Sequence, residues 1–316
     1  MDLDLAQLRA LAAVVAEGTF EAAARTLHVT PSAVSQRIRA LETSAGRVLL
    51  VRSKPVRPTE AGRTVLRLAR EVELLAADAS WEIDAGRRMP VLPIAVNADS
   101  LATWFLAALA PLAGQYCFDL RREDQERTGE LLREGTVVAA VTTEAVPVGG
   151  CSSVPLGTVH YQPCASVGFA RRWFADGVDA QALQRAPVVV FDRDDDLQDR
   201  WLRRFGNPAP PRHHVPSTSD FGEAVRRGFG WGMILPEQVA AFGPGECFDL
   251  DPGGGVDVAL HWQRWRIRSP SLDRISDAVL AAWAGSPGGG PLTQRAGRSG
   301  PTRQRSEPPG PAEFRG

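Results

Sequence analysis

The sequence predicts a two-domain protein of mixed α+β and α/β class: a small helical head closed by a hairpin, a long connecting helix, and a larger α/β unit. Three observations predict it. At 316 residues the chain exceeds the usual size of one hydrophobic core. Its opening third places apolar residues at three-and-four spacing, while beyond Val91 short apolar stretches alternate with helical ones. A break at Gly86 to Pro90 separates the two regimes.

The first helix carries Leu5, Leu8, Leu11, Ala12 and Val15 on one face, and Gly18 ends it. Thr19 caps the second, which turns Phe20, Ala23, Ala24 and Leu27 inward. The third opens with Thr30 as cap and Pro31 at the first helical position, where a missing N–H costs nothing. It buries Val34, Ile38 and Leu41 and leaves Ser32, Ser35, Gln36, Arg37 and Arg39 outside. From Val48 to Arg57 two short apolar or β-branched stretches flank Ser53-Lys54-Pro55 and read as a hairpin. From Thr59 a longer helix spaces Val65, Leu68, Val72, Leu75 and Ala79 at alternating threes and fours, a heptad seam of the kind that pairs two helices. A single helix lying on its own domain has the same spacing.

The formal net charge of −1 comes from 36 basic and 37 acidic residues and conceals a local asymmetry. Between Arg25 and Arg57, Arg25, Arg37, Arg39, Arg47, Arg52, Lys54 and Arg57 face the single acid Glu42. That sign suits a phosphate backbone. Together with the small hydroxyls and the amide on the third helix, it points to a winged helix-turn-helix that reads double-stranded DNA. The candidate contacts are Pro31, Ser32, Ser35, Gln36, Arg37 and Arg39 on the recognition helix, and Arg52, Lys54 and Arg57 on the wing. Pairing through the long helix fits such a reader, because a two-fold protein matches paired half-sites.

Cys117, Cys151, Cys164 and Cys247 are scattered, with no C-x-x-C pair, so neither zinc nor a disulfide framework is expected. His213 and His214 are adjacent and in a strand point to opposite faces. The N-terminus is acidic without the basic and apolar blocks of a signal peptide, and no apolar run reaches spanning length. A cytoplasmic protein without membrane contact is expected. No G-x-S-x-G elbow, P-loop or metal cluster is found, and Gly253 to Gly255 lacks the strand-turn-helix context of a dinucleotide site. No catalytic residue, cofactor or metal is therefore assigned.

In the larger unit the candidate strands are Val91 to Val96, Cys117 to Arg122, Val137 to Thr142, Cys164 to Phe169, Pro187 to Phe191, Trp231 to Leu235 and Val256 to Trp262. Alternation with helices implies a largely parallel sheet. Gly285 to Gly316 is rich in Gly, Pro, Ser, Arg and Gln and reads as a disordered tail. The expected divisions are residues 1–58 for the head, 59–89 for the connecting helix, 90–284 for the α/β unit and 285–316 for the tail.

In the stretch Leu8 to Gly62, Phe20-Glu21-Ala22-Ala23-Ala24-Arg25, Leu27-His28-Val29-Thr30-Pro31-Ser32-Ala33-Val34-Ser35-Gln36-Arg37-Ile38 and Thr59-Glu60-Ala61-Gly62 resemble the DNA-binding module of LysR-type transcriptional regulators. Leu49 to Pro55, and Val96-Asn97-Ala98-Asp99-Ser100-Leu101-Ala102-Thr103-Trp104-Phe105, resemble the ArgP/LysG branch of that family. The resemblance implies a homodimer or homotetramer that senses lysine or arginine, controls a basic amino-acid exporter gene and contacts RNA polymerase. It also implies a two-lobed sensor similar to periplasmic binding proteins, with lobe I over residues 91–160 plus 262–284 and lobe II over 164–258. The chain is expected to cross between lobes near Tyr161 to Cys164 and again near Asp257 to Trp262.

Ligands of open α/β domains sit beyond the carboxyl ends of strands. There the sequence places Asp99, Ser100, Glu123, Asp124, Thr143, Asp192 and Ser219, with Thr103 one turn further on. With Asp220 in the Ser217 to Asp220 cluster, carboxylates stand in four of the five strand-end clusters and favour a cationic ligand, since a buried acid is tolerated when paired. Glu123 and Asp124 are expected to meet an ammonium or guanidinium, with Asp99 or Asp192 at another cationic end. Ser100, Thr103 and Ser219 are expected to donate to the ligand carboxylate. Asp99 and the run from Asp192 also suit plain helix starts. The alternatives are a regulator of the same family with a different small-molecule effector, and an α/β enzyme.

Overall fold

The computed structural model describes residues 4–83, 89–123, 125–240, 242–243 and 245–285. Asp124 and the tail from Ser286 onward lie outside them.

The head is built from α1 (Leu5–Glu17), α2 (Phe20–Thr26) and α3 (Pro31–Ala45), followed by the wing strands β1 (Leu50–Val51) and β2 (Arg57–Pro58). Asp4, Thr19 and Thr30 each accept a hydrogen bond from the third residue after them, satisfying an N–H that the first turn leaves free. Gly18 and Gly46 close α1 and α3 in the left-handed region, at φ 71° and 63°, which glycine adopts without steric cost. The wing is tied down at both ends: Glu42 Oε1 accepts from the Leu49 amide at 2.9 Å, and the Thr59 hydroxyl donates to the Val48 carbonyl at 2.8 Å.

The connecting helix α4 (Glu60–Ile83) starts hard against the wing. A Cβ on Gly62 would sit 1.9 Å from the Leu49 carbonyl oxygen, so only glycine lets the two backbones meet. Val65, Leu66 and Ala69 of α4 belong to the head core with Leu11, Val34, Ile38 and Leu41. The expected seam is only partly covered within one chain: Leu68 and Val72 are half-buried, Leu75 is 40% exposed and Ala79 is exposed. A second face, through Arg67, Arg70 and Asp78, lies on the sensor.

Lobe I begins with β3 (Val91–Val96), then α5 (Ala98–Ser100), a π turn at Leu101–Phe105 and α6 (Leu106–Leu109). It continues through β4 (Cys117–Arg122), α7 (Gln125–Arg133) and β5 (Ala139–Thr142). The 16-residue β6 (Cys151–Ser166) then leaves this lobe for the next. Lobe II holds α8 (Val167–Trp173), α9 (Ala180–Arg185), β7 (Val188–Val190), α10 (Leu197–Leu202) and β8 (Arg212–His214). It is completed by α11 (Thr218–Arg226), β9 (Gly232–Ile234), α12 (Pro236–Ala240) and β10 (Cys247–Asp249). The chain returns through β11 (Val256–Trp265) and ends in α13 (Pro270–Ala284).

β6 pairs with β11 from Cys151 to Tyr161, and from Gln162 onward with β9 and β10, so one strand serves both lobes. The crossover therefore sits at Tyr161–Gln162. Two expectations are corrected by this. The run Cys164 to Phe169 is not a strand of its own: Cys164 to Ser166 are the last residues of β6, and Val167 to Phe169 open α8, whose cap is the Ser166 hydroxyl accepting from the Phe169 amide. The sheet is not largely parallel: β3 is parallel to β4 and β5, but β11 is antiparallel to both β5 and β6, and β6 is antiparallel to β9 and β10. Strands that run out to a second lobe and back must oppose each other.

Candidate nucleic-acid interface and ligand cleft

The outer face of α3 is polar because its three buried residues, Val34, Ile38 and Leu41, all serve the head core. Pro31, Ser32, Gln36 and Arg39 are exposed, and Ser35 and Arg37 are half-buried beside them. On the wing Arg52, Lys54 and Arg57 are exposed, with the Arg52 guanidinium 5.8 Å from the centre of the Phe20 ring. None of these cations forms an ion pair among the described residues. Unneutralised basic side chains around a helix N-terminus offer both charge and N–H donors to phosphate.

The second feature is a cavity of about 380 Å³ between the lobes. Its walls bring together Asn97, Asp99, Tyr161, Phe191, aspartates of the loop before α10, Gln198 in the first turn of α10, Thr218 and Gln238. Asn97 caps α5 by accepting from the Ser100 amide at 3.2 Å and so turns Asp99 inward after β3. Asp99 Oδ2 accepts from the Tyr161 hydroxyl at 2.7 Å, and Oδ1 from the Thr218 hydroxyl at 3.0 Å. Thr218 is held in turn by the Gln238 side-chain amide, which donates to its carbonyl at 2.8 Å.

Among the described residues five aspartates, Asp99, Asp192, Asp194, Asp195 and Asp196, line this cavity against one base, Arg127, which leans 3.6 Å from Glu123. Burial pushes the Asp99 carboxyl above its usual range even though Tyr161 and Thr218 oppose the shift. Burial also raises Asp195, against the amides of Phe191 and Leu197 that it accepts from at 2.9 and 3.0 Å. The Tyr161 hydroxyl is driven well up by burial and then by Asp99, with Asp195 and Glu237 adding to it. Neither Asp99 nor Asp195 has a Lys, Arg or His within ion-pair distance among the described residues. Buried acids that converge on one point without a counter-cation make a site for a positive ligand.

Of the strand-end residues expected to line a ligand site, Asp99 and Asp192 meet in this cavity. Asp192 also accepts from the Asp194 and Asp195 amides at 2.9 and 3.0 Å, which turns its loop inward. The others stand elsewhere. Ser100, the last residue of α5, is buried, Thr103 is exposed and donates to the Asp99 carbonyl at 2.7 Å, and Glu123 faces Arg127. Thr143 is off the cavity wall, Ser219 is exposed and 3.2 Å from Ser217, and Asp124 lies outside the described residues. Tyr161, Thr218, Asp195 and Gln198 escaped the sequence reading. A tyrosine in mid-strand carries no local mark, whereas Thr218 stood inside a strand-end cluster and could have been found there.

Residues 5–63 match the family model of bacterial regulatory helix-turn-helix proteins of the lysR family, and residues 87–284 match the LysR substrate binding domain. The lysine export transcriptional regulatory protein LysG of Corynebacterium glutamicum is 43% identical over 284 residues, covering 87% of this chain and 96% of that one. The crystal structure of ArgP from Mycobacterium tuberculosis is similar with a TM-score of 0.83 and 47% identity, over 90% of this chain and 98% of that one. Full-length LysG from Corynebacterium glutamicum with bound effector Arg is similar with a TM-score of 0.75 and 40% identity, over 90% of this chain and 99% of that one.

Proposed function

Because the chain belongs to the LysR family of bacterial transcriptional regulators, we propose that its inter-lobe cleft senses a basic amino acid, arginine or lysine, and that occupancy controls an amino-acid exporter gene or related metabolism. It is a DNA-binding regulator and not an enzyme. The observation that carries the effector reading is the Asp99 carboxylate, which takes donors from the crossover strand and from lobe II and has no cation as ion-pair partner among the described residues. The ligand's ammonium supplies that charge, and Asp192 and Asp195 face its other cationic end. A relative named for lysine export and a solved relative with bound Arg support the same chemistry.

On this reading residues 1–58 are the DNA-binding head, 59–89 the linker and 90–284 the effector-binding domain, with lobe I at 91–160 plus 262–284 and lobe II at 164–258. Pro31, Ser32, Ser35, Gln36, Arg37 and Arg39 enter the major groove, and Arg52, Lys54 and Arg57 hold the backbone beside it. LysR regulators are oligomers, and the uncovered side of α4 through Leu68, Val72, Leu75 and Ala79 is the pairing face of a homodimer or homotetramer. The regulator works in the cytoplasm and contacts RNA polymerase at its promoter.

Calorimetric titration of the purified protein with arginine, lysine, citrulline and glutamate tests the effector class. Arginine or lysine binding with citrulline and glutamate silent is expected. Tighter binding of a neutral or acidic amino acid would overturn the effector and leave the regulator.

A further inference from the structure

The linker helix is attached to its own sensor at three points that the head and the cleft do not explain. The Arg67 guanidinium donates to the carbonyls of Gly149 and Gly150, the latter at 2.8 Å, and lies 5.8 Å from the centre of the Trp265 ring. Arg70 donates to the Gly135 carbonyl at 2.5 Å. Asp78 is 6% exposed, and both of its oxygens accept from hydroxyls at the start of α13: Oδ2 from Ser269 at 2.6 Å, and Oδ1 from Ser271. The span from Arg67 to Asp78 is about 16 Å of helix.

α13 is also the element that packs behind the cleft. Asp99 stands on α5, which runs without interruption into the π turn holding Trp104 and Phe105. The Trp104 ring is 5.1 Å from that of Trp283 near the end of α13, and Phe105 is 6.2 Å from Trp262 on β11. Trp262 Nε1 in turn donates to the Ser276 hydroxyl of α13 at 3.0 Å, with both groups buried. A movement of α5 on ligand binding therefore meets a close-packed aromatic layer whose other side is α13. Such layers transmit displacement because they have no free volume in which to absorb it.

We propose that Asp78 is the positioning residue through which the sensor sets the angle of the DNA-binding head: α13 holds α4 by this carboxylate, and a shift of α13 carries α4 and the head with it. The role of α13 as relay rests on the effector reading above, while the latch itself does not. An apolar contact between the same helices would tolerate sliding. Two hydroxyls bound to the two oxygens of one buried carboxylate define a single register and direction. The other end of α4 is built into the head core through Val65, Leu66 and Ala69, so the helix conveys rotation rather than dissipating it.

The test uses the full chain as wild type, Asp78→Ala and Ser271→Ala; the second removes one donor and leaves the Ser269 cap of α13 in place. Without ligand, hydrogen exchange across α4 residues 74–83 should rise about tenfold or more in Asp78→Ala, with α3 and the cleft unchanged. With arginine, both variants should bind within about twofold of wild type yet lose the arginine-dependent change in operator footprint, Ser271→Ala in part and Asp78→Ala fully. Unchanged α4 exchange, or a full arginine response in Asp78→Ala, overturns the proposal. If wild type binds no arginine, the effector reading fails, and the ligand-free exchange alone decides the latch. A general loss of stability would change exchange in every element, which separates a merely structural role.

Discussion

Asp99 in lobe I accepts a hydrogen bond from the Thr218 hydroxyl in lobe II, 3.0 Å across the cleft and 119 residues away in sequence. The same carboxylate takes the Tyr161 hydroxyl of the strand that joins the lobes. One acid thus touches both lobes and their connection, which makes its charge the natural point at which ligand and lobe geometry are coupled.

Replacing this acid should separate binding from stability. Asp99→Asn is expected to weaken arginine affinity about 10- to 100-fold, the usual worth of a charge-assisted hydrogen bond. The ligand-free protein should melt no lower than wild type near neutral pH, because a buried charge without a counter-cation is removed. Calorimetry and thermal melting of the same preparation check the two signs. A large drop in melting temperature would make Asp99 a structural residue.

Acidity gives a second expectation. The folded Asp99 and Asp195 carboxyls lie above their usual range, chiefly because of burial. The folded protein therefore holds these protons more tightly than the unfolded chain, and their contribution to stability falls as pH rises through the folded values. A bound cation offsets that loss. The thermal shift produced by saturating arginine should thus grow as pH rises above the ordinary carboxylate range, with protons released on binding at the lower end. Titrations in buffers of different ionisation enthalpy count those protons, and a shift independent of pH would remove Asp99 from the ligand.

On the DNA side, phosphate and base contacts differ in salt dependence. Substituting Arg52 or Arg57 by alanine should weaken all sequences alike and lower the slope of log affinity against log salt by about 0.9 each. Gln36→Ala should leave the slope unchanged and cost about 1–3 kcal/mol at the cognate operator only. Binding isotherms at three salt concentrations, on operator and scrambled duplexes, tell the two apart.

Self-association should depend on the uncovered side of the linker helix. Leu75 is 40% exposed in the single chain, so Leu75→Glu costs that chain little, while a partner helix would have to bury the charge. Sedimentation should find the variant dissociating at higher concentration than wild type, by about 1.5–3 kcal/mol per buried leucine, with arginine binding retained. Unaltered association would move the pairing face elsewhere.

Much of the fold was legible in the sequence. Val91–Val96 is a short apolar run bounded by Pro90 and Asn97, Cys117–Arg122 sets Phe118 and Leu120 in alternation with polar residues, and both strands fall at the expected residues. The head was equally plain, since Gly18, Thr19, Thr30 and Pro31 mark their helix ends by local chemistry. The long β6 was not, because Pro155, Gly157 and Pro163 interrupt any alternation, and its last residues look like the start of another strand rather than the cap of a helix.

By itself the sequence determined the winged head, the polar outer face of its third helix and the acidic character of the strand ends, all of which depend on neighbours a few residues apart. The fold in three dimensions was needed to show that Asp99 and Asp192 share a cleft while Glu123 pairs with Arg127, that Tyr161 lines it and donates to Asp99, and that α4 carries a sensor-bound face beside its heptad seam. The reason is the separation of the partners. Thr218 and Asp99, or Ser269 and Asp78, meet because a sheet of mixed direction folds two lobes onto one crossover, and no local periodicity encodes which distant side chains that brings together.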